Sequence, residues 1–288
     1  MQATTFTLND DQRTRAATLV EPALRFLAEQ RSPLGEALVR HLWRDGSADD
    51  VVTALTAYQN ADGGFGKGLE VDIAAPVSNP FATRLAMQVL TLLPPDAGQE
   101  LCASLAAWLV ASQDADGDWH FAPEVRAYEL APWFAGWTFP GLNPACCIVG
   151  LANRLGIATP EMRERVAALF ARLGSIDEAR DGEFYAVLPY VEYVAGADFP
   201  ERDAYVAALA EGIPGRQYED AQHLFDHAIN GGPELVARLP DSLLAAQAVR
   251  LMDERQDDGG WPTPYNAAWR PWTTTSALVT LARLRDGV

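Results

Sequence analysis

Two carboxylates stand two residues apart in Gly68-Leu69-Glu70-Val71-Asp72, within a Gly66 to Ser78 loop long enough to hold a site. When burial or a second carboxylate keeps one such acid protonated, it becomes a proton donor to an apolar substrate. Glu70 and Asp72 are therefore the first catalytic candidates. Glu192 is the second, because it lies in the apolar run Tyr185 to Val194, where burial disfavours a bare charge. His223 and His227 lie four apart and would share one helix face, with Asp220 and Asp226 close by. Zinc would need a third ligand from elsewhere, such as His120 or Cys146. No cofactor is otherwise expected.

Six of the eight tryptophans fall in connecting segments: Trp119, Trp133, Trp137, Trp261, Trp269 and Trp272. Gathered at one mouth, they would favour an apolar or cationic guest through area burial and cation–π attraction. His120, Tyr190 and Tyr265 would add polar contacts to such a pocket.

These residues are positioned by a repeat. Gln59-Asn60-Ala61-Asp62-Gly63-Gly64-Phe65 returns as Gln113-Asp114-Ala115-Asp116-Gly117-Asp118-Trp119 and, one residue shorter, as Gln256-Asp257-Asp258-Gly259-Gly260-Trp261. Glu178 to Phe184 reads as a weaker fourth copy. In each, Gln closes a helix, Asp-Gly supplies a turn with a positive-φ glycine, and the aromatic folds back over the helix end. Between the copies, apolar positions recur at three and four, as from Asn9 to about Gln30, and caps such as Ser47, Asn79-Pro80 and Thr159-Pro160 open helices. Strand signals are nearly absent, and Tyr218 to Leu239 is the one region with no clear period. The expectation is an all-α chain, one domain over 1–288, in which apolar and amphipathic helices alternate.

Composition narrows the partners. Lys plus Arg total 22 against 39 Asp plus Glu, a net charge of −17 that repels nucleic acid and anionic membrane surfaces. The first ten residues lack the basic start and apolar core of a secretory signal, and no apolar run approaches the length of a membrane span. Three cysteines, two of them adjacent, make no disulfide framework. A cytoplasmic monomer or homodimer is expected.

The Gln-x-x-Asp-Gly-x-Trp/Phe connectors resemble the repeats of the squalene-cyclase and prenyltransferase superfamily, over about residues 47–288. The resemblance implies an α/α toroid, a double ring of about five to six antiparallel helix pairs, with the helices of residues 1–46 completing the ring. It also implies a terpenoid-cyclase-like activity, protonation of an alkene or epoxide and ring closure against aromatic faces. The Asp-x-Asp-Asp acid motif and the Asp-Asp-x-x-Asp magnesium motif of those enzymes are both missing, as are Cys-His-Gly zinc signatures. The same scaffold carries polysaccharide lyases and glycosidases. A carbohydrate-active protein and a non-catalytic small-molecule binder are therefore the alternatives.

Overall fold

The computed structural model describes residues 6–287, which are helical throughout apart from turns and two isolated β-bridges. The first helices are α1 (Asp10–Glu29), α2 (Pro33–Trp43), α3 (Ala48–Thr56), α4 (Pro80–Leu90) and α5 (Gln99–Ser112). The short α6 (Pro132–Ala135) precedes α7 (Leu142–Arg154), α8 (Pro160–Leu173), α9 (Ile176–Asp181) and α10 (Phe184–Gly196). The chain ends with α11 (Arg202–Gly212), α12 (Ala221–Asn230), α13 (Gly232–Val236), α14 (Asp241–Asp253) and α15 (Arg270–Asp286). Asn9 and Ser47 close capping boxes, and Asn79 and Thr159 accept from backbone N–H groups ahead of proline at the first helical position. No helix of the described residues is long and apolar enough to cross a membrane.

One set of helices forms a succession. α4 packs on α7, α7 on α10, α10 on α12, α12 on α15, and α15 on α2. Amphipathic helices lie behind them: α1 against α2, α14 and α15, and α8 against α7. The two ends of the chain are joined, since Leu8 N–H donates to the Leu284 carbonyl at 2.9 Å and Trp43 Nε1 to the Leu278 carbonyl at 2.9 Å. One hydrophobic cluster accordingly runs from Leu8 to Leu284.

Three copies of the repeat make the same turn. The carbonyls of Gly64, Asp118 and Gly260 accept from the backbone N–H of Asn60, Asp114 and Gln256 at 2.9, 2.9 and 2.8 Å. Gly63, Gly117 and Gly259 have φ of +94°, +100° and +96°. An added Cβ would stand 2.1, 2.6 and 2.3 Å from the carbonyl oxygens of Ser104, Arg165 and Pro22, in α5, α8 and α1. Each glycine is thus fixed twice, by its conformation and by a neighbouring helix. The aromatics fold back as expected: Trp119 and Trp261 donate to Leu109 and Leu251 carbonyls at 3.0 and 2.7 Å, at the ends of α5 and α14.

The fourth copy is not this turn. Ser175 caps α9 by accepting from Glu178 N–H, so a short helix occupies the stretch, and Gly182 follows it at φ −64°. Glu178, which stands where the other copies have Gln, accepts from the Tyr190 hydroxyl at 2.5 Å.

Candidate active site

Six helices, α2, α4, α7, α10, α12 and α15, wall one cavity of about 540 Å³. The first turns of the wall helices face the connectors. Phe65 N–H donates to Thr83 Oγ1 (3.1 Å), Trp261 N–H to Thr274 Oγ1 (3.0 Å), and Gly141 N–H to Asp118 Oδ2 (2.9 Å). The loops 66–78 and 118–141 lie over this end, joined by the Ile73–Leu130 bridge and by Ala131 N–H to the Asp72 carbonyl at 2.9 Å.

Of the catalytic candidates, Glu70 and Asp72 both line the cavity at this end. Glu70 is only 6% exposed. Burial pushes its carboxyl up to about 8; the adjacent Asp72 charge adds to this, while the Asp72 N–H bond at 3.1 Å and the Arg84 charge oppose it. Asp72 is held in place by Trp269 Nε1, which donates to its Oδ2 at 2.8 Å. The site therefore pairs a carboxylic acid that keeps its proton near neutrality with a fixed second carboxyl.

Asp220, His223 and Tyr265 form a second cluster lining the cavity. His223 Nδ1 lies 2.7 Å from Asp220 Oδ1 and its Nε2 lies 2.7 Å from the Tyr265 hydroxyl. Burial works against the imidazolium, but the Asp220 bond and charge outweigh it and raise the histidine above its ordinary value. Asp226, one turn deeper, is raised to about 6 by burial and accepts from Gln222 at 2.8 Å. The loop from Pro262 to Trp269 touches both clusters, through Tyr265 on one side and Trp269 on the other.

Glu192 also lines the cavity, but as a counter-ion. Arg84 reaches it with Nε at 3.0 Å and Nη2 at 2.6 Å, and Gln88 Nε2 adds a third bond at 2.6 Å. Its two oxygens are thereby committed to internal donors. Neither Arg84 nor Gln88 is among the residues singled out from sequence, although Arg84 is the one charge in the otherwise apolar α4.

The tryptophans divide into two groups. Trp133, Trp137, Trp269 and Trp272 line the cavity, and the buried Trp137 Nε1 has no internal acceptor. Trp119 and Trp261 lie instead in the hydrophobic core, 0% and 1% exposed, because the repeat turn folds them under. Tyr190 is likewise core, its hydroxyl bonded to Glu178 and Ser175 N–H. His120 sits on the mouth loops beside Asp114 and Asp116, stacked on Phe139.

The two histidines of α12 do not converge. His227 is fully buried, 2.9 Å from the Tyr218 hydroxyl and 3.0 Å from the Phe184 carbonyl, and burial lowers it to about 3. All four ring nitrogens of the pair are engaged, and Cys146 is buried in α7. Among the described residues no three His, Cys, Asp or Glu side chains are grouped to hold a metal ion. Comparison with protein-family models and with curated proteins finds no match.

Proposed function

We propose that the chain is a terpenoid-cyclase-like α/α toroid whose cavity takes an apolar or polycyclic small molecule and cyclises or isomerises it by acid catalysis. What supports the ring is the succession of packed wall helices and the return of α15 to α2. The observation that carries the chemistry is Glu70, a buried carboxyl raised to about 8 on the wall of an aromatic cavity.

In this reading the Glu70 proton adds to an alkene carbon and leaves a carbocation on its neighbour. Ring closure or migration of the double bond follows, and loss of a proton from an adjacent carbon to the Glu70 carboxylate restores the acid. Substrate and product are then isomers. The faces of Trp133, Trp137, Trp269 and Trp272 stabilise the cation at about 0.5–2 kcal/mol each, and exclusion of water protects it from capture.

The Asp220–His223–Tyr265 chain favours a second reading. An imidazole oriented by a carboxylate and facing a tyrosine hydroxyl is an arrangement for proton abstraction, which a carbohydrate-active toroid would use beneath aromatic platforms for sugar rings.

Native mass spectrometry of the purified protein, followed by solvent extraction, identifies the retained guest. Incubation of that guest with wild type, Glu70→Gln and His223→Gln then separates the readings. Conversion to an isomer that Glu70→Gln abolishes and His223→Gln leaves supports acid catalysis. A polar guest whose turnover needs His223 supports the second reading, and conversion surviving in Glu70→Gln overturns the first.

A further inference from the structure

The end of the cavity away from the connectors has a chemistry of its own. Arg154 is the last residue of α7, Asn230 the last of α12, and Arg283 lies in the final turn of α15; all three line the cavity. Among the described residues neither Arg154 nor Arg283 has a carboxylate within ion-pair distance, whereas Arg84 has Glu192. Arg283 is held by the Ile229 carbonyl at 3.1 Å and by Asn230 Oδ1 at 3.5 Å, both neutral groups. Burial, with the nearby charge of Arg154, pulls it down to about 9, while the Glu192 charge acts on Arg154 without pairing with it.

The charges on the wall are therefore sorted. Glu70, Asp72, Asp220 and His223 belong to the connector end, Asp226 lies one turn short of Asn230 on α12, and Glu192 is committed to Arg84. Arg154 and Arg283 remain at the far end without a paired carboxylate, Arg283 donating only to the neutral Ile229 carbonyl and Asn230. Helix C-termini favour cations, which accounts for arginine being tolerated there, but it does not account for two of them turned to one cavity in a chain of net charge −17.

We propose that Arg154 and Arg283 form a subsite for the anionic terminus, carboxylate or phosphate, of a guest whose apolar body lies along the cavity toward Glu70. This rests on the proposed guest cavity and adds its polarity: the substrate is an amphipathic anion that enters in one orientation. The α7 segment from Asn143, at the connector end, to Arg154 spans about 17 Å at about 1.5 Å per residue. An anion seated on the arginines thus presents its distal carbons to the acid. Guanidinium forks suit both oxyanions.

The test is a titration of cavity tryptophan fluorescence with decanoate, decyl phosphate and 1-decanol. At least one anion binds tenfold or more tighter than the alcohol, against the overall negative charge, and the tighter of the two names the oxyanion. Arg154→Gln/Arg283→Gln brings the ratio to near one while 1-decanol still binds, and Arg154→Lys keeps part of the preference. Arg154 is exposed, so Arg154→Gln alone reports if the double variant does not fold. Equal or tighter binding of 1-decanol, a preference that survives in the variants, or no binding of any probe overturns the subsite. None of these readouts depends on turnover, so a failure of the Glu70 mechanism leaves a distinct signature.

Discussion

Glu70→Gln gives the most direct access to the reasoning, because the side chain keeps its shape and its contact to Asp72 N–H while losing its titration. In the unfolded chain Glu70 releases its proton near 4.5; in the folded protein it holds it to about 8. Below 4.5 both states carry the proton and stability does not depend on it. Between 4.5 and 8 the folded state binds more protons than the unfolded, so stability falls as pH rises, and above 8 the loss is complete. At about 1.4 kcal/mol per pH unit the window is worth about 5 kcal/mol. Asp118 and Asp226, both raised to about 6 by burial, are present in wild type and variant alike and cancel in the difference. Urea unfolding of both proteins from pH 4.5 to 9 reads this directly. The variant loses less stability than wild type across the window by several kcal/mol, with no divergence below pH 4.5. Profiles that stay parallel within about 1 kcal/mol would refute the raised acid, and with it the proton donor.

Other expectations follow from particular contacts. Trp261→Ala removes a core side chain and lowers stability by about 3–5 kcal/mol in thermal unfolding, whereas Trp133→Ala, 51% exposed at the mouth, costs under about 1 kcal/mol and weakens guest binding. Gly117→Ala combines a positive φ with a carbonyl at 2.6 Å and destabilises by more than about 2 kcal/mol; Gly68→Ala, with a positive φ but open space, costs about 1 kcal/mol. Arg84→Met leaves Glu192 buried without its cation and costs about 3–5 kcal/mol, while Arg84→Met/Glu192→Met regains most of it in the same denaturation assay.

The helices were legible because their signals are local. A cap, a first-turn proline and a positive-φ glycine each act within a few residues, and Ser47, Asn79, Gly63 and Gly259 do what their positions predict. Gln222, His223 and Asp226 hid α12 from a periodicity reading, since they turn polar groups to the cavity where a core helix would carry aliphatics. The fourth connector departs from the repeat because Asp-Gly-x-aromatic is satisfied equally by a helix end, and the Ser175 cap starts a helix there. The tryptophans were indistinguishable by type, yet position within the repeat separates them. Those that close a turn, Trp119 and Trp261, are core, and those outside it, Trp133, Trp137, Trp269 and Trp272, reach the cavity. The partnership of Arg84 with Glu192, 108 residues apart, has no local signal at all.

One feature of the layout opposes the raised acid and favours the arginine pair. Because connectors bond the first turns of α4, α7 and α15, these wall helices enter the cavity from one end and point the same way. Their N-termini, each the positive end of a helix dipole, lie at the connector end, where Glu70 lines the cavity, and a dipole favours an ionised carboxylate by about 0.3–1 kcal/mol. The net shift of Glu70 to about 8, led by burial, disfavours ionisation by about 5 kcal/mol, so burial wins and the acid keeps its proton. At the other end the dipoles and the side chains agree, since C-termini hold Arg154 and Arg283 as cations. On the proposed reading the guest is anionic where the helices finish and accepts a proton where they begin, so substrate orientation and acid chemistry stand or fall on separate measurements.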